Sequence, residues 1–434
     1  MPTQVIRPTQ ARRFDIRCDV GDAIVANLAM HFVFFFERRL DTRALAAAFG
    51  EALTSLPIFA ARLGLVDGAM AIRCRGQGVP LRCLSSPRTL ADAVGSVSAD
   101  AGHWLIDPVN GVAARWGWGP VCKVRVTHLA DEATAIGFSW HHAIGDMQTL
   151  MQFMNAWTAA AADSAPAAPV IPEDRARYLD EHLPAGGATE PGVRCLGPAE
   201  LVRSVAYLAK GARIQRTLTL YFGDDEIDRM RHTYGHRIRL SANDAVCAHL
   251  CEVLMSADPA VDRRTLAIAV NARTRCGLDP MLVGNVLTTL NIGLRRGEAA
   301  DSVAERIRHT VDHFDEHRDL RVNQQFLDAS GRWRAVRCVS TAFDPVRWNP
   351  LISNLSGFGV YRLQFEGTHP CYCAMVLKLP VAGLGALLDG SGGRGLLFQM
   401  SLPPMEFEAL SAPAVRERIH RFRRPGDDIP RLHR

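Results

Sequence analysis

The apolar residues of this chain change period again and again, from alternation at every second position to recurrence at every third or fourth. That pattern calls for strands and helices interleaved along the chain, the signature of an α/β architecture. Residues 28–37 read as a buried strand. Asp41 caps a helix that carries Leu45, Phe49, Leu53 and Leu56 on one face and stops at Pro57. A hairpin turns at Asp67-Gly68 within residues 61–73, and strands over 121–129 and 133–142 are joined by Asp131-Glu132. Met147, Leu150, Met151, Met154 and Trp157 then recur at helical spacing. A stretch rich in Ala, Pro and Gly, about residues 159–198, reads as a crossover between two units.

The second half repeats the style. A strand is expected over 216–222, and Ser241 with Asp244 forms a capping-box pattern that opens a helix. Strands follow near 264–271 and 285–294, then a helix near 301–318 with Val303, Ile307, Val311 and Phe314 inward. Further strands are expected near 360–367, 373–379 and 395–402, with Asp389 to Gly395 as a hairpin turn. Two α/β lobes result, residues 1–185 and 205–434, joined by a crossover linker at 186–204, with an active site expected between them. The arginine-rich tail from Arg416 to Arg434 reads as a solvated, partly disordered end.

With 434 residues, the chain exceeds what one core organises. Its 48% apolar and 22% charged residues exclude a collagen, a disordered tail protein and a coiled coil. The apolar run Ala29–Phe36 is too short to cross a bilayer, and no charged-then-apolar leader opens at Met1, so a cytoplasmic chain without a membrane partner is expected. Net charge is only +5, and no Lys/Arg stripe interleaves with aromatics, which argues against a nucleic-acid partner. Eleven cysteines, an odd number without a C-x-x-C pair, read as buried reduced thiols rather than a disulfide framework or a metal site.

The stretch Ser139 to Asp146 concentrates the chemistry. It is the exit of a strand, a short turn and the start of a helix. His142 shares a face with Ile136, Phe138 and Trp140, so its imidazole is placed at the open end of an apolar strand, where a near-neutral pKa suits general-base work. Asp146 sits where a carboxylate caps free N–H groups, and Gly145 is expected to let the loop turn tightly. Taken alone, the same residues also describe a hydrogen-bonded core histidine beside an ordinary N-cap.

The wider context resembles the BAHD acyltransferases, within the superfamily of chloramphenicol acetyltransferase-like enzymes and condensation domains. His141-His142-Ala143-Ile144-Gly145-Asp146 matches HHxxxD at its three fixed positions. Leu56 to Leu63, Pro172-Glu173-Asp174-Arg175, Ser241 with Asp244, and Asn271-Ala272-Arg273-Thr274-Arg275 followed by Gly284-Asn285 resemble further segments of the family in the same order. The chain departs from it in two places: Met147 stands where the family usually has glycine, and Gln364 to Pro370 keeps only Phe365 and Pro370 of the signature DFGWG followed by K-P.

The resemblance implies two chloramphenicol acetyltransferase-like lobes, each with a central mixed sheet, and a channel between them. It implies transfer of an acyl group from a thioester to a hydroxyl or amine of a small-molecule acceptor, with His142 as base and Asp146 as its structural companion. It implies no permanently bound cofactor, with acyl-coenzyme A, or an acyl group on a carrier protein's phosphopantetheine, as co-substrate. Oxyanion donors are expected from Gly145 and Met147 backbone N–H groups and from Ser353 or Asn354. His141 is assigned to packing, and Arg273 or Arg275 to support, as the arginine that meets the aspartate of DFGWG in the family. A stand-alone condensation enzyme and a degenerate, non-catalytic binding protein are the alternative functions.

Overall fold

The computed structural model describes residues 3–183, 191–258, 260–314, 316–330, 337–344, 348–377 and 380–433. Two six-stranded mixed sheets dominate it. In the first, the strands run in the order Gln4–Ile6, Val79–Ser85, Cys122–His128, Thr134–His141, Ala29–Phe36 and Tyr372–Met375. In the second, the order is Arg216–Phe222, Leu396–Leu402, Leu384–Asp389, Leu351–Asn354, Arg263–Asn271 and Leu287–Arg295. Parallel and antiparallel pairs occur in both.

Thr134–His141 is buried along its whole length, because it is covered on both faces and flanked on both edges. That explains its apolar run without alternation. The helices Thr42–Ser55 and Met147–Ala161 lie on it through an aromatic cluster. Phe59 and Phe153 have ring centroids 4.4 Å apart, and Phe49 and Trp157 meet edge-on at 4.7 Å. The Trp157 indole donates to the Leu45 carbonyl at 3.0 Å, which fixes the two helices to each other.

The second sheet buries one face against the helices Asp224–Tyr234, Ala242–Ala257 and Ala300–His313, with Leu266, Ile268, Ile352, Phe398 and Met400 as its side of the core. Its other face turns to the first half, where Ala386, Leu388 and Leu397 join the first core. The halves are stitched by main-chain mimicry. The buried Gln399 carboxamide accepts from Met375 N at 2.8 Å and donates to Met375 O at 3.0 Å, completing the free edge of the first sheet.

Several sequence expectations are corrected. The strand Tyr372–Met375 pairs with Ala29–Phe36 of the first half, so the sheets do not divide where the chain was expected to divide. Of the expected linker, 186–190 lies outside the described residues and its end is already in the helix Pro198–Ile214. No strand spans 360–367. Gly359 and Gly367, at φ +78° and +77°, bend that segment into a 3-10 turn and a tight turn instead. The helix expected to 318 ends at His313, and a separate helix, Glu316–Ser330, follows. The tail is ordered through residue 433: the helix Pro413–Ile419 packs on the second core, and Arg423 reaches the buried Glu226 at 3.0 Å.

Candidate functional site

The site is a strand-to-helix turn from the first half clamped by a loop from the second. Thr134–His141 ends where His141 pairs with Ala29, and the His142 N–H donates to Leu28 O at 2.9 Å. His141 faces inward and is fully buried. Its Nδ1 accepts from Ala143 N at 3.2 Å and its Nε2 donates to Gly111 O at 3.0 Å, so the ring is neutral and caps the following 3-10 turn. Burial pushes its pKa down to about 4. Both ring nitrogens of His141 are thus spent on backbone partners inside the protein.

Asp146 makes no hydrogen bond to His142 among the described residues. It caps the helix Met147–Ala161 by accepting from Thr149 N at 3.0 Å. Its two oxygens take Arg273 NH1 at 2.7 Å and NH2 at 3.1 Å, and Val286 N adds a further bond at 3.3 Å. Arg273 in turn spends every N–H it has. Nε donates to Leu282 O at 2.8 Å, and the remaining two bonds go to Gly284 O and the Asn271 side chain. The pair is sealed, with side-chain exposures of 1% and 4%. Arg273 is therefore committed to Asp146 and not to the segment around Gln364, which is exposed. Arg275 is exposed and donates to Val311 O, outside this network.

The clamp presents Asn285. Gly284 has φ +134°, a backbone conformation that favours glycine, and a Cβ there would lie 2.9 Å from the Arg175 guanidinium carbon. Gly21 is required for a different reason: its Cβ would sit 2.2 Å from Asn285 O. The Asn285 amide nitrogen donates to Asp22 Oδ1 at 2.8 Å and to His142 O at 2.9 Å, both of which can only accept. Its oxygen must therefore face His142 Nδ1, 2.9 Å away. Nδ1 carries the proton, and Nε2 keeps its lone pair. Asp22 is buried and held by Arg175 NH1 at 2.6 Å, so a polar chain runs Arg175–Asp22–Asn285–His142.

His142 itself is half-buried, and Nε2 makes no hydrogen bond among the described residues. Desolvation lowers its pKa, so the ring is neutral near pH 7 and available as a base.

Of the expected oxyanion donors, Gly145 is excluded because its N–H is spent on His142 O at 3.0 Å. Its value is spatial. It is extended, at φ 164°, and a Cβ would meet Thr149 Cγ2 at 2.4 Å, so the tight turn expected of it is not its role. The Met147 N–H, in the first turn of its helix, makes no hydrogen bond among the described residues. Ser353 lies on the opposite side of its strand from the core residue Ile352, hence on the face turned to the first half. The Asn354 oxygen is occupied by Ser356 N and Oγ, at 3.0 and 2.7 Å, and the residue is exposed. Among the described residues no hydrogen bond joins Ser353 or Asn354 to His142.

Asn285, Asp22 and Arg175 had no assigned role in the sequence reading. Gly284-Asn285 and Asp174-Arg175 stood within matched segments, whereas Asp22, in a five-residue helix, carried no signal. Among the described residues no cluster of three or more His, Cys, Asp or Glu could hold a metal ion, and no helix is long and apolar enough to cross a membrane.

Residues 3–412 match the model of the Transferase family. No curated protein matches the chain. Among solved structures it is similar to vinorine synthase, at 17% identity and a TM-score of 0.70, over 94% of this chain and 95% of that one. It is similar to TRI101 of F. graminearum in complex with coenzyme A and T-2 mycotoxin, at 12% identity and a TM-score of 0.71, over 93% and 98%. It is also similar to the first condensation domain of the CDA synthetase, at 13% identity and a TM-score of 0.62, over 94% and 95%.

Proposed function

Because the chain belongs to the Transferase family, as a BAHD-like protein with the two-lobed α/β fold, we propose that it transfers an acyl group from acyl-coenzyme A to a hydroxyl or amine of a small-molecule acceptor. One observation carries the proposal. The half-buried imidazole of His142 is held as the Nδ1–H tautomer by Asn285, with a free lone pair on Nε2.

In the proposed reaction the acceptor's O–H or N–H lies against Nε2. As its heteroatom attacks the thioester carbonyl, Nε2 takes the proton, and the imidazolium gives it to the departing thiolate. Asn285 Oδ1 accepts from Nδ1–H throughout and steadies the positive ring. The tetrahedral oxyanion is met by the Met147 N–H, with Ser353 Oγ as the donor contributed by the second half. Acyl transfer is direct, so no serine or cysteine nucleophile is invoked. Asp146 holds the turn and takes no proton.

The test offers the same acyl group on coenzyme A and on carrier-protein phosphopantetheine, with a panel of alcohols and amines, and follows thiol release. Acceptor-dependent release from coenzyme A supports the proposal. Release from the carrier alone identifies a stand-alone condensation enzyme. Thioester binding without any release identifies a non-catalytic binding protein.

A further inference from the structure

The segment that joins the halves is tied down outside both large sheets. Val193–Cys195 pairs antiparallel with Cys338–Ser340, and the register sets Cys195 opposite Cys338. Leu196 N donates to Arg337 O at 3.0 Å and Thr341 N to Gly192 O at 2.9 Å. These bonds mark 196/337 and 192/341 as hydrogen-bonded pairs. Because the two kinds of pair alternate along an antiparallel ladder, 195/338 is a non-hydrogen-bonded pair. Such a pair brings its Cα atoms to about 4.5 Å, with both side chains on one face. A disulfide accepts Cα separations of about 4.4–6.8 Å. Of the eleven cysteines, no other two face each other across a described ladder.

We propose that Cys195 and Cys338 form a reversible dithiol–disulfide pair that, when oxidised, fastens the crossover segment to the chain packed beneath the helix Val20–Ile24. Both are thiols in this structure. Cys195 is half-buried, with its Sγ 3.8 Å from Ser330 Oγ, and is the sulfur that an oxidant reaches. Cys338 is 4% exposed, and burial pushes its thiol up to about 12, so it does not ionise first and serves as the resolving partner.

With hydrogen peroxide as oxidant, the Cys195 thiol becomes a sulfenic acid and one water leaves. The Cys338 sulfur then attacks the Cys195 sulfur, the S–S bond forms, and the hydroxyl departs with the Cys338 proton as a second water. Two thiols and one peroxide thus give one disulfide and two waters, and a dithiol reductant reverses the step by exchange. The link has a structural consequence. Cys338 packs with Val20, Val193 and Leu327, and Val20 lies two residues from Asp22 on the same short helix. Val20 N also donates to Gln324 Oε1 at 2.9 Å, on the helix beside the ribbon.

The full chain is treated with hydrogen peroxide, digested with trypsin without reductant, and analysed by mass spectrometry. Peptides beginning at Cys195 and Cys338 should be joined, two hydrogens lighter than their sum, and separated by dithiothreitol. Cys195→Ser, and independently Cys338→Ala, should abolish the joined species, with far-UV circular dichroism reporting that each variant has folded. Amide exchange over residues 20–24 should be slower in the oxidised protein than in the reduced protein. Over-oxidation of Cys195 without a link, a link between other cysteines, or unchanged exchange over 20–24 would each overturn the proposal.

Discussion

Two turns of this molecule lie where the sequence resembles the two BAHD signatures, and they are held in opposite ways. The His142–Asp146 turn is a polar lock. Asp146 fills both oxygens, Arg273 uses all its N–H groups, and the bonds cross from one half to the other. In the Gln364–Pro370 turn the polar residue that begins the motif is exposed, and Phe365 and Pro370 go inside, the Phe365 ring between Phe36 at 5.8 Å and Trp157 at 5.0 Å. Glu366 reaches sideways to the Asp41 N–H at 2.7 Å, and Phe365 and Thr368 exchange backbone bonds. A turn held by buried charge tolerates no change in its polar letters, since each loss strands a partner. The second turn buries two apolar residues, Phe365 and Pro370, and leaves Gln364, Glu366, Gly367 and His369 exposed.

The sharpest way to break the comparison is Arg273→Met. It leaves the Asp146 carboxylate buried without its partner and should cost about 3–5 kcal/mol in urea unfolding. A loss below ~1 kcal/mol would mean that the turn is not held by charge.

Acid should weaken the first turn next. His141 is neutral in the folded chain, with its pKa pushed down to about 4, against about 6.5 when unfolded. Between those values the unfolded chain binds more protons. Its contribution is therefore fully present above pH 6.5 and is lost as pH falls toward 4, on the order of 3 kcal/mol at the lower limit. Denaturation at pH 7.5 and pH 5 should show this slope, and His141→Asn should flatten it. An equal slope in both proteins would contradict the assignment.

Asn285→Ala should lower kcat roughly 10–100-fold, the range carried by groups that orient a functional histidine, with KM for the thioester little changed. Its proton NMR signature should change as well, because the Nδ1–H resonance loses its partner; an unaltered resonance would remove Asn285 from the positioning role.

The smallest effect is expected in the second turn. Gln364→Asp restores the family's acidic letter, but Arg273 is already committed, so stability should shift by no more than ~0.5 kcal/mol. A gain above 1 kcal/mol would show that an arginine is available to it after all.

What could be read from the sequence follows the same division. Strand Thr134–His141, the helix capped by Asp146 and the capping box at Ser241 announce themselves within a few residues, because their causes are local. The partner of Asp146 could not be read in this way. Arg273 is 127 positions away, and the resemblance alone pairs it with the Gln364 segment, since a motif names its residues but not their contacts. Asp22 and Asn285 meet across 263 positions, with neither periodicity nor spacing to link them. The close approach of Gly21 to the Asn285 backbone is likewise a fact of packing alone.

One proton acceptor carries the proposed reaction, and His142→Ala tests it most directly. Thioester affinity is measured by calorimetry and turnover by thiol release with a responsive acceptor. Loss of base catalysis should lower kcat by about 10²–10⁴-fold while the Kd for the thioester stays within a few-fold of wild type. Wild-type turnover in His142→Ala would contradict the mechanism.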